Sequence, residues 1–131
     1  MKLVFDTNIY ISAFVIPGSK AEKALLKVLE EDTLLISKDI INETLSVLST
    51  KFHHDMEALS HLAVYLSEVA QMVEPVEIKL SVLKDEPDNR ILECAISGKA
   101  DAIVTGDKEM IILKEFKGIR IMSLKEYLGR I

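Results

Sequence analysis

The sequence predicts an α/β fold, a three-layer sandwich in which helices cover both faces of a central, mainly parallel sheet of five strands. Short apolar runs that end at turn residues alternate with longer segments whose apolar residues recur every three or four positions. This alternation indicates strands followed by helices. The chain has 131 residues, of which 49% are hydrophobic, enough for one core and too few for a second. Because the sequence shows no repeat and no low-complexity linker, we expect residues 1–131 to form a single domain.

The N-terminal half begins with a short apolar strand, Leu3–Phe5, which ends at the turn cluster Asp6-Thr7-Asn8. A helix follows and is broken at Pro17-Gly18. Ser19 then has the position of a helix N-cap, and Glu22 completes a capping-box pattern three residues later. After this second helix we expect a strand at 34–37, a helix at 38–50 and an amphipathic helix at 55–70, the last two forming a helical hairpin.

The C-terminal half continues the alternation. Residues 72–78 predict a third strand, and Pro75 within it predicts that this strand lies at an edge of the sheet. Gly98 has the position of a C-terminal cap for a helix that starts at Asp88. Ser123 and Glu126 form a second capping-box pattern before the last helix. Between these features the sequence predicts a strand at 102–105, a helix at 108–116 and a strand at 119–122.

The composition argues against several classes of protein. No apolar run approaches the ~18 residues that a membrane-spanning helix needs, and the start MKLVFD lacks the features of a signal peptide. We therefore expect a cytoplasmic protein with no membrane partner. The single cysteine, Cys94, excludes an intramolecular disulfide and a cysteine-based zinc site. The net charge of −5 argues against nonspecific binding of duplex nucleic acid over the whole surface. The histidines lie away from the predicted strand ends, which argues against a zinc hydrolase; they are His53, His54 and His61.

Four acidic residues follow the carboxyl ends of the predicted strands. Asp6 directly follows the first strand, and Glu43 lies in the helix after the second. Asp88 begins the helix after the third strand, and Asp107 lies two residues beyond Thr105, which ends the fourth. Because parallel strands share one direction, their carboxyl ends meet at one edge of the sheet, where ligands of open α/β sheets bind. The sequence therefore predicts an acidic pocket at that edge.

Helical phase strengthens this prediction. Asp88 lies in the middle of an apolar face that includes Ile91 and Leu92, and Glu43 lies at the rim of the apolar arc of its own helix. Buried carboxylates without a cation are costly. They either take up protons through raised pKa values or hold a divalent cation, and a set of oxygen ligands suits Mg²⁺ or Mn²⁺.

Each acid also has an ordinary structural interpretation. Asp6 could form an Asx turn, and Asp88 could cap its helix. Asp107 could be a turn residue, and Glu43 could be a surface acid. The convergence of all four on one edge favours a shared pocket over four separate roles.

Four stretches, FDTNIYISA, IINETLSVL, DEPDNRILECA and ADAIVTGDKEM, resemble the PIN-domain family and, within it, the VapC-like toxins of toxin–antitoxin pairs. The similarity spans almost the whole chain. It implies a metal-dependent ribonuclease whose catalytic and metal-binding acids are Asp6, Glu43, Asp88 and Asp107.

The resemblance also implies the surroundings of this site. Asn8 and Thr105 match polar residues that orient the carboxylates through hydrogen bonds. Glu109 stands where relatives often carry another aspartate, and Asp85 competes with Asp88 for the third position. The implied substrate is single-stranded RNA, with Mg²⁺ or Mn²⁺ as cofactor. Three lysines are candidates for holding the RNA backbone: Lys108, Lys99 and Lys114.

The implied partners are a cognate antitoxin protein and a second copy of the chain in a homodimer. The apolar stripe from Met56 to Ala70 could serve either contact or pack in the core. A PIN nuclease of RNA processing without an antitoxin, and a PIN-like module that binds RNA or protein without cutting, stay open as alternatives.

Two other classes of acidic-site protein fit less well. A response-regulator receiver domain needs paired acids after the first strand, and this chain has Asp6-Thr7 there. A haloacid-dehalogenase-type phosphatase needs Asp-x-Asp, and the third position here is Asn8.

Overall fold

The computed structural model of the chain describes residues 1–75 and 80–129, and these residues are arranged around a six-stranded sheet. Its strands are β1 (Lys2–Phe5), β2 (Thr33–Ile36), β3 (Gln71–Met72), β4 (Ala102–Val104), β5 (Glu115–Phe116) and β6 (Ile119–Met122). Its helices are α1 (Thr7–Val15), α2 (Lys20–Glu31), α3 (Lys38–Phe52), α4 (Met56–Val69), α5 (Glu86–Ser97), α6 (Lys108–Leu113) and α7 (Leu124–Leu128). The strand order β3-β2-β1-β4-β6-β5, parallel except for β5, confirms the predicted α/β class with a mainly parallel sheet.

Strand β1 lies in the interior of the sheet and pairs in parallel with β2 and β4. Its apolar residues from Leu3 to Phe5 are fully buried, as expected for a strand covered on both faces. The register pairs Phe5 with Val104, so the next residues along the two strands, Asp6 and Thr105, emerge beside each other. The backbone N–H of Asp6 donates to the carbonyl oxygen of Val104 at 3.0 Å. The central strand pair therefore fixes the position of the first aspartate.

The sheet has six strands where five were predicted, because the helix expected at 108–116 ends earlier. Lys114 has a φ of 58° and terminates α6. Residues 115–116 then form β5, antiparallel to β6. Lys117 and Gly118 both have positive φ, 50° and 82°, which is the backbone of a two-residue hairpin turn. Gly118 is a residue type that such a turn favours, whereas Lys117 is not.

The strand predicted at 72–78 is shorter and begins earlier. β3 comprises Gln71 and Met72 and is an edge strand that pairs only with β2 among the described residues. Val73 is buried, and its N–H donates to the Ile36 carbonyl oxygen at 2.8 Å. Val76 and Ile78, which the prediction also used, lie outside the described residues.

The predicted helical hairpin is present as α3 and α4. His53, with a φ of 56°, ends α3 in the left-handed conformation. Of the apolar stripe predicted from Met56 to Ala70, Leu66 and Ala70 are buried, whereas Met56 is exposed. The stripe is thus only partly packed in the core. In the described ranges we find no helix long and apolar enough to cross a membrane.

Close packing at the end of α5 gives a test of the fold. A Cβ atom added at Gly98 would lie 2.9 Å from Leu35 Cδ1 and 2.9 Å from Val73 Cγ2, and both side chains are buried. We expect Gly98→Ala to lower the free energy of unfolding by about 1–3 kcal/mol, measured by urea denaturation. Gly106→Ala is the matched control, since no atom lies within 4 Å of its added Cβ. Equal stability of the two variants would contradict this packing.

Candidate active site

Asp6 is held where β1 meets α1. Its side chain is 3% exposed. One oxygen, Oδ1, accepts a hydrogen bond from the backbone N–H of Asn8 at 3.4 Å and caps α1. The other, Oδ2, accepts from the hydroxyl of Thr105 at 2.7 Å. Both bonds stabilise the ionised carboxylate and offset part of the cost of its burial.

Thr105 links this aspartate to a second one. The fully buried Oγ1 of Thr105 accepts a hydrogen bond from the backbone N–H of Asp107 at 3.0 Å. Asp107 in turn caps α6, since its Oδ1 accepts from the N–H groups of Glu109 at 2.8 Å and Met110 at 3.3 Å. A chain of hydrogen bonds therefore connects the ends of β1 and β4.

Asp88 is the third residue of α5 and not its N-cap, because the helix starts at Glu86 after Asp85. Its side chain is 5% exposed, and its Oδ2 is buried without a hydrogen-bond partner. Burial raises the pKa of Asp88 to about 7, with further contributions from the negative charges of Asp6, Asp107 and Asp85. The Asp107 carboxylate also lies close enough to share a proton with Asp88, which raises the pKa of Asp88 further.

The same electrostatics act on Asp6. Burial raises its pKa, the hydrogen bonds from Thr105 and Asn8 lower it, and the charge of Asp107 raises it again. The structure thus brings Asp6, Asp88 and Asp107 into one cluster, which we call the aspartate cluster. Among the described residues, none of the three makes an ion pair with a lysine or arginine. The cluster is a site of concentrated negative charge without a protein counter-ion.

Glu43, the fourth predicted acid, lies on the wall of a cavity that also includes the residues next in sequence to Asp6 and Asp88. These neighbours are Thr7 and Pro87, the cavity has a volume of about 370 Å³, and Glu43 is half-buried on α3. No hydrogen bond or ion pair engages its carboxylate within the described ranges. Glu43 is thus available to a ligand at this edge of the sheet.

The other predicted site residues do not all lie at the same edge of the sheet as the aspartate cluster. Asn8 is exposed and donates a hydrogen bond to Asp6 through its backbone N–H. Lys108 and Lys114 are exposed at the two ends of α6, the helix that follows β4. Lys99 precedes β4, so it lies at the opposite edge of the parallel sheet. Glu109 is exposed and contributes its N–H to Asp107.

The aspartate cluster fits a divalent cation by its chemistry. Its donors are all carboxylate oxygens, which suit Mg²⁺ or Mn²⁺, and the buried, unpartnered Oδ2 of Asp88 lacks a positive partner. As the described side chains stand, no group of three or more His, Cys, Asp or Glu is arranged to hold a metal ion. Binding would therefore require these carboxylates to close around the ion.

Sequence reasoning missed three residues of α5 that fix the loop before the helix. Asn89 is buried, accepts from the Leu83 N–H and donates to the Leu83 carbonyl oxygen, both at 2.8 Å. Glu93 accepts from the Leu80 N–H at 2.7 Å, and Arg90 donates to the Leu80 carbonyl oxygen at 2.9 Å. Arg90 and Glu93 also form an ion pair at 2.9 Å. The signal was the polar pair Asn89-Arg90 directly after Asp88, on a helix that is otherwise packed in the core.

Comparisons with known proteins agree with this architecture. The PIN domain family model matches residues 2–109. An uncharacterised protein of Methanocaldococcus jannaschii is 31% identical over 120 residues, which cover 88% of this chain and 76% of that protein.

Two solved structures share the fold. VapBC2 from Rickettsia felis, bound to a DNA fragment from their promoter, has a TM-score of 0.65 at 19% identity, covering 94% of this chain and 98% of that chain. VapC20 from Mycobacterium tuberculosis, a toxin that cleaves the sarcin–ricin loop, has a TM-score of 0.59 at 15% identity, covering 90% and 98%.

The raised pKa of Asp88 makes the metal-free protein sensitive to pH. Between the ordinary aspartate value and about 7, the folded state binds one more proton than the unfolded state, so the free energy of unfolding falls as pH rises. Asp88→Asn removes this loss. We expect the variant to be more stable than the wild type by about 1–3 kcal/mol at pH 8 and by much less at pH 5.

Urea denaturation in EDTA at the two pH values measures this difference. Asp39→Asn serves as the control, because Asp39 is exposed on α3 and is not part of the aspartate cluster, and the gain in stability at pH 8 should be absent from this variant. A wild type as stable as Asp88→Asn at pH 8 would contradict the charge repulsion described for the cluster.

Proposed function

The chain belongs to the PIN-domain family, and from this premise we propose that it is a metal-dependent endoribonuclease that hydrolyses phosphodiester bonds of single-stranded RNA. The observation that carries the proposal is the aspartate cluster. Two buried carboxylates and a half-buried third, without a protein cation, are costly to a fold, and a divalent cation bound between them would reduce that cost.

The chain's own residues have distinct parts in this proposal. Asp6, Asp88 and Asp107 would hold Mg²⁺ or Mn²⁺, and Glu43 would reach it directly or through water. A bound ion of this kind polarises a phosphodiester and lowers the pKa of a water molecule. Hydrogen bonds from Thr105 and the Asn8 N–H favour the ionised form of Asp6 and fix its orientation. Because α6 occupies Oδ1 of Asp107, its Oδ2 remains for a ligand.

Hydrolysis would break the bond between phosphorus and the 3′ oxygen, with water supplying the new oxygen on phosphorus. The products would carry 5′-phosphate and 3′-hydroxyl ends. Lys108 and Lys114 are the lysines placed to hold the RNA backbone, since both are exposed at the ends of α6. Lys99, at the opposite edge of the sheet, has no part in this proposal.

We further propose that the protein is the toxin of a toxin–antitoxin pair and has an antitoxin as its partner. Support comes from the likeness to VapC20, a toxin that cleaves the sarcin–ricin loop, and to VapBC2. The partly exposed apolar stripe of α4 offers surface for the antitoxin or for a second copy of the chain. A PIN nuclease of RNA processing without an antitoxin would use the same aspartate cluster. A PIN-like module that binds without cutting would have no need for the unneutralised carboxylates.

Cleavage of RNA tests the proposed activity. We expect the purified protein to cut single-stranded RNA with Mn²⁺ or Mg²⁺ and to stop in EDTA, and Asp6→Asn to reduce the rate by at least about 100-fold, since a ligand is lost. Glu30→Gln, an exposed acid on α2, is the matched control and should keep the wild-type rate. Cleavage that persists in EDTA and in Asp6→Asn would overturn the proposal.

A further inference from the structure

The segment that leads into α5 has neither helix nor strand structure and is held by side chains of that helix. Asn89 accepts a hydrogen bond from the N–H of Leu83 and donates one to its carbonyl oxygen, both at 2.8 Å. In the same way, Glu93 accepts from the N–H of Leu80 at 2.7 Å, and Arg90 donates to its carbonyl oxygen at 2.9 Å. The backbone polar groups of both leucines are therefore bonded to the helix.

Asn89 acts beside the aspartate cluster, since it directly follows Asp88 in the chain. Its side chain is 1% exposed, and its Nδ2 also donates to the carbonyl oxygen of Asp85 at 3.5 Å. That oxygen accepts in addition from the backbone N–H of Asp88 at 3.1 Å. One buried amide thus contacts both the preceding loop and the carbonyl group to which the backbone of Asp88 is bonded.

The start of α5 lacks the side-chain cap that the two other helices of the site have. Asp6 and Asp107 each cap the helix that follows them, whereas Asp85, the N-cap residue of α5, makes no such hydrogen bond. Within the described part of the chain, Oδ2 of Asp88 has no hydrogen-bond partner either. The position of the Asp88 carboxylate therefore depends on where the first turn of α5 lies, and the Asn89 amide joins that turn to the loop.

We propose that Asn89 is a positioning residue for the aspartate cluster. By joining the first turn of α5 to the loop before it, the Asn89 amide keeps the Asp88 carboxylate where it can bind a divalent cation, without touching the cation or the RNA. The inference rests on the proposed function, since it concerns the same cation. A residue that served only to stabilise the fold would change the free energy of unfolding and leave the affinity of the folded protein for the cation unchanged.

Binding of Mn²⁺ to the folded protein separates these two roles, and electron paramagnetic resonance of free Mn²⁺ measures it without RNA. Asn89→Ala removes the side-chain hydrogen bonds, and alanine has the higher helix propensity. We expect the dissociation constant for Mn²⁺ to rise at least about tenfold, as when a residue that orients a metal ligand is replaced.

Gly98→Ala is the matched control, because it disturbs the other end of the same helix, where the added Cβ would lie 2.9 Å from Leu35 Cδ1. It should destabilise the fold and still bind Mn²⁺ as the wild type does. Asn89→Ser, which keeps a small polar side chain, is measured in the same way in case Asn89→Ala does not fold.

A folded Asn89 variant with wild-type affinity for Mn²⁺, or an equal loss of affinity in Gly98→Ala, would overturn the inference. Failure of both Asn89 variants to fold would assign this residue to folding alone and overturn it as well. A wild type that binds Mn²⁺ but leaves RNA intact would overturn the ribonuclease proposal alone, because the ratio of the dissociation constants still decides the role of Asn89. A wild type that binds no Mn²⁺ would overturn both.

Discussion

The crowding of negative charge at one edge of the sheet is the constraint on which the rest of the site depends. Burial raises the pKa of Asp6 and of Asp88, and the negative charge of Asp107 raises both further. The fold offsets the cost of the buried charge for Asp6 but not for Asp88. Asp6 receives two hydrogen bonds that stabilise its charge, whereas Oδ2 of Asp88 receives none. Asp88 is therefore the group whose protonation is most sensitive to whatever enters the cluster.

The geometry of the cluster follows from junctions between strands and helices. Asp6 and Asp107 each cap the helix that begins after them, so the same carboxylates that end the strands also start α1 and α6. Thr105 joins the two junctions by donating to one aspartate and accepting from the backbone of the other. Asp88 reaches the cluster from α5, whose start is fixed by the contacts of Asn89, Arg90 and Glu93 with the preceding loop. Capping, which would be a sufficient explanation for either aspartate alone, does not account for Asp88.

Much of this could be predicted from the sequence, because short apolar strands and helical periodicity are local signals. The placement of Asp6 and Asp107 followed from the shared direction of parallel strands. What could not be predicted depends on backbone detail or on contacts distant in sequence. Lys114 and Lys117 have positive φ values where α6 ends and where β5 turns into β6, and apolar periodicity does not reveal such backbone conformations. Helix α5 starts at Glu86, two residues before the predicted start at Asp88, because Pro87 is well tolerated in the first turn of a helix. The hydrogen bond from the backbone N–H of Asn8 to Asp6 does not involve the Asn8 side chain, so the residue type at this position does not signal it.

Whether the aspartate cluster holds a divalent cation can be measured by anomalous diffraction at the manganese edge from crystals soaked in Mn²⁺. We expect a peak bounded by carboxylate oxygens of Asp6, Asp88 and Asp107, with Glu43 on its open side, and no such peak for Asp88→Asn at the same concentration. Crystals whose cluster stays without a peak at saturating Mn²⁺, or in which a lysine or arginine side chain neutralises the three aspartates, would contradict this expectation.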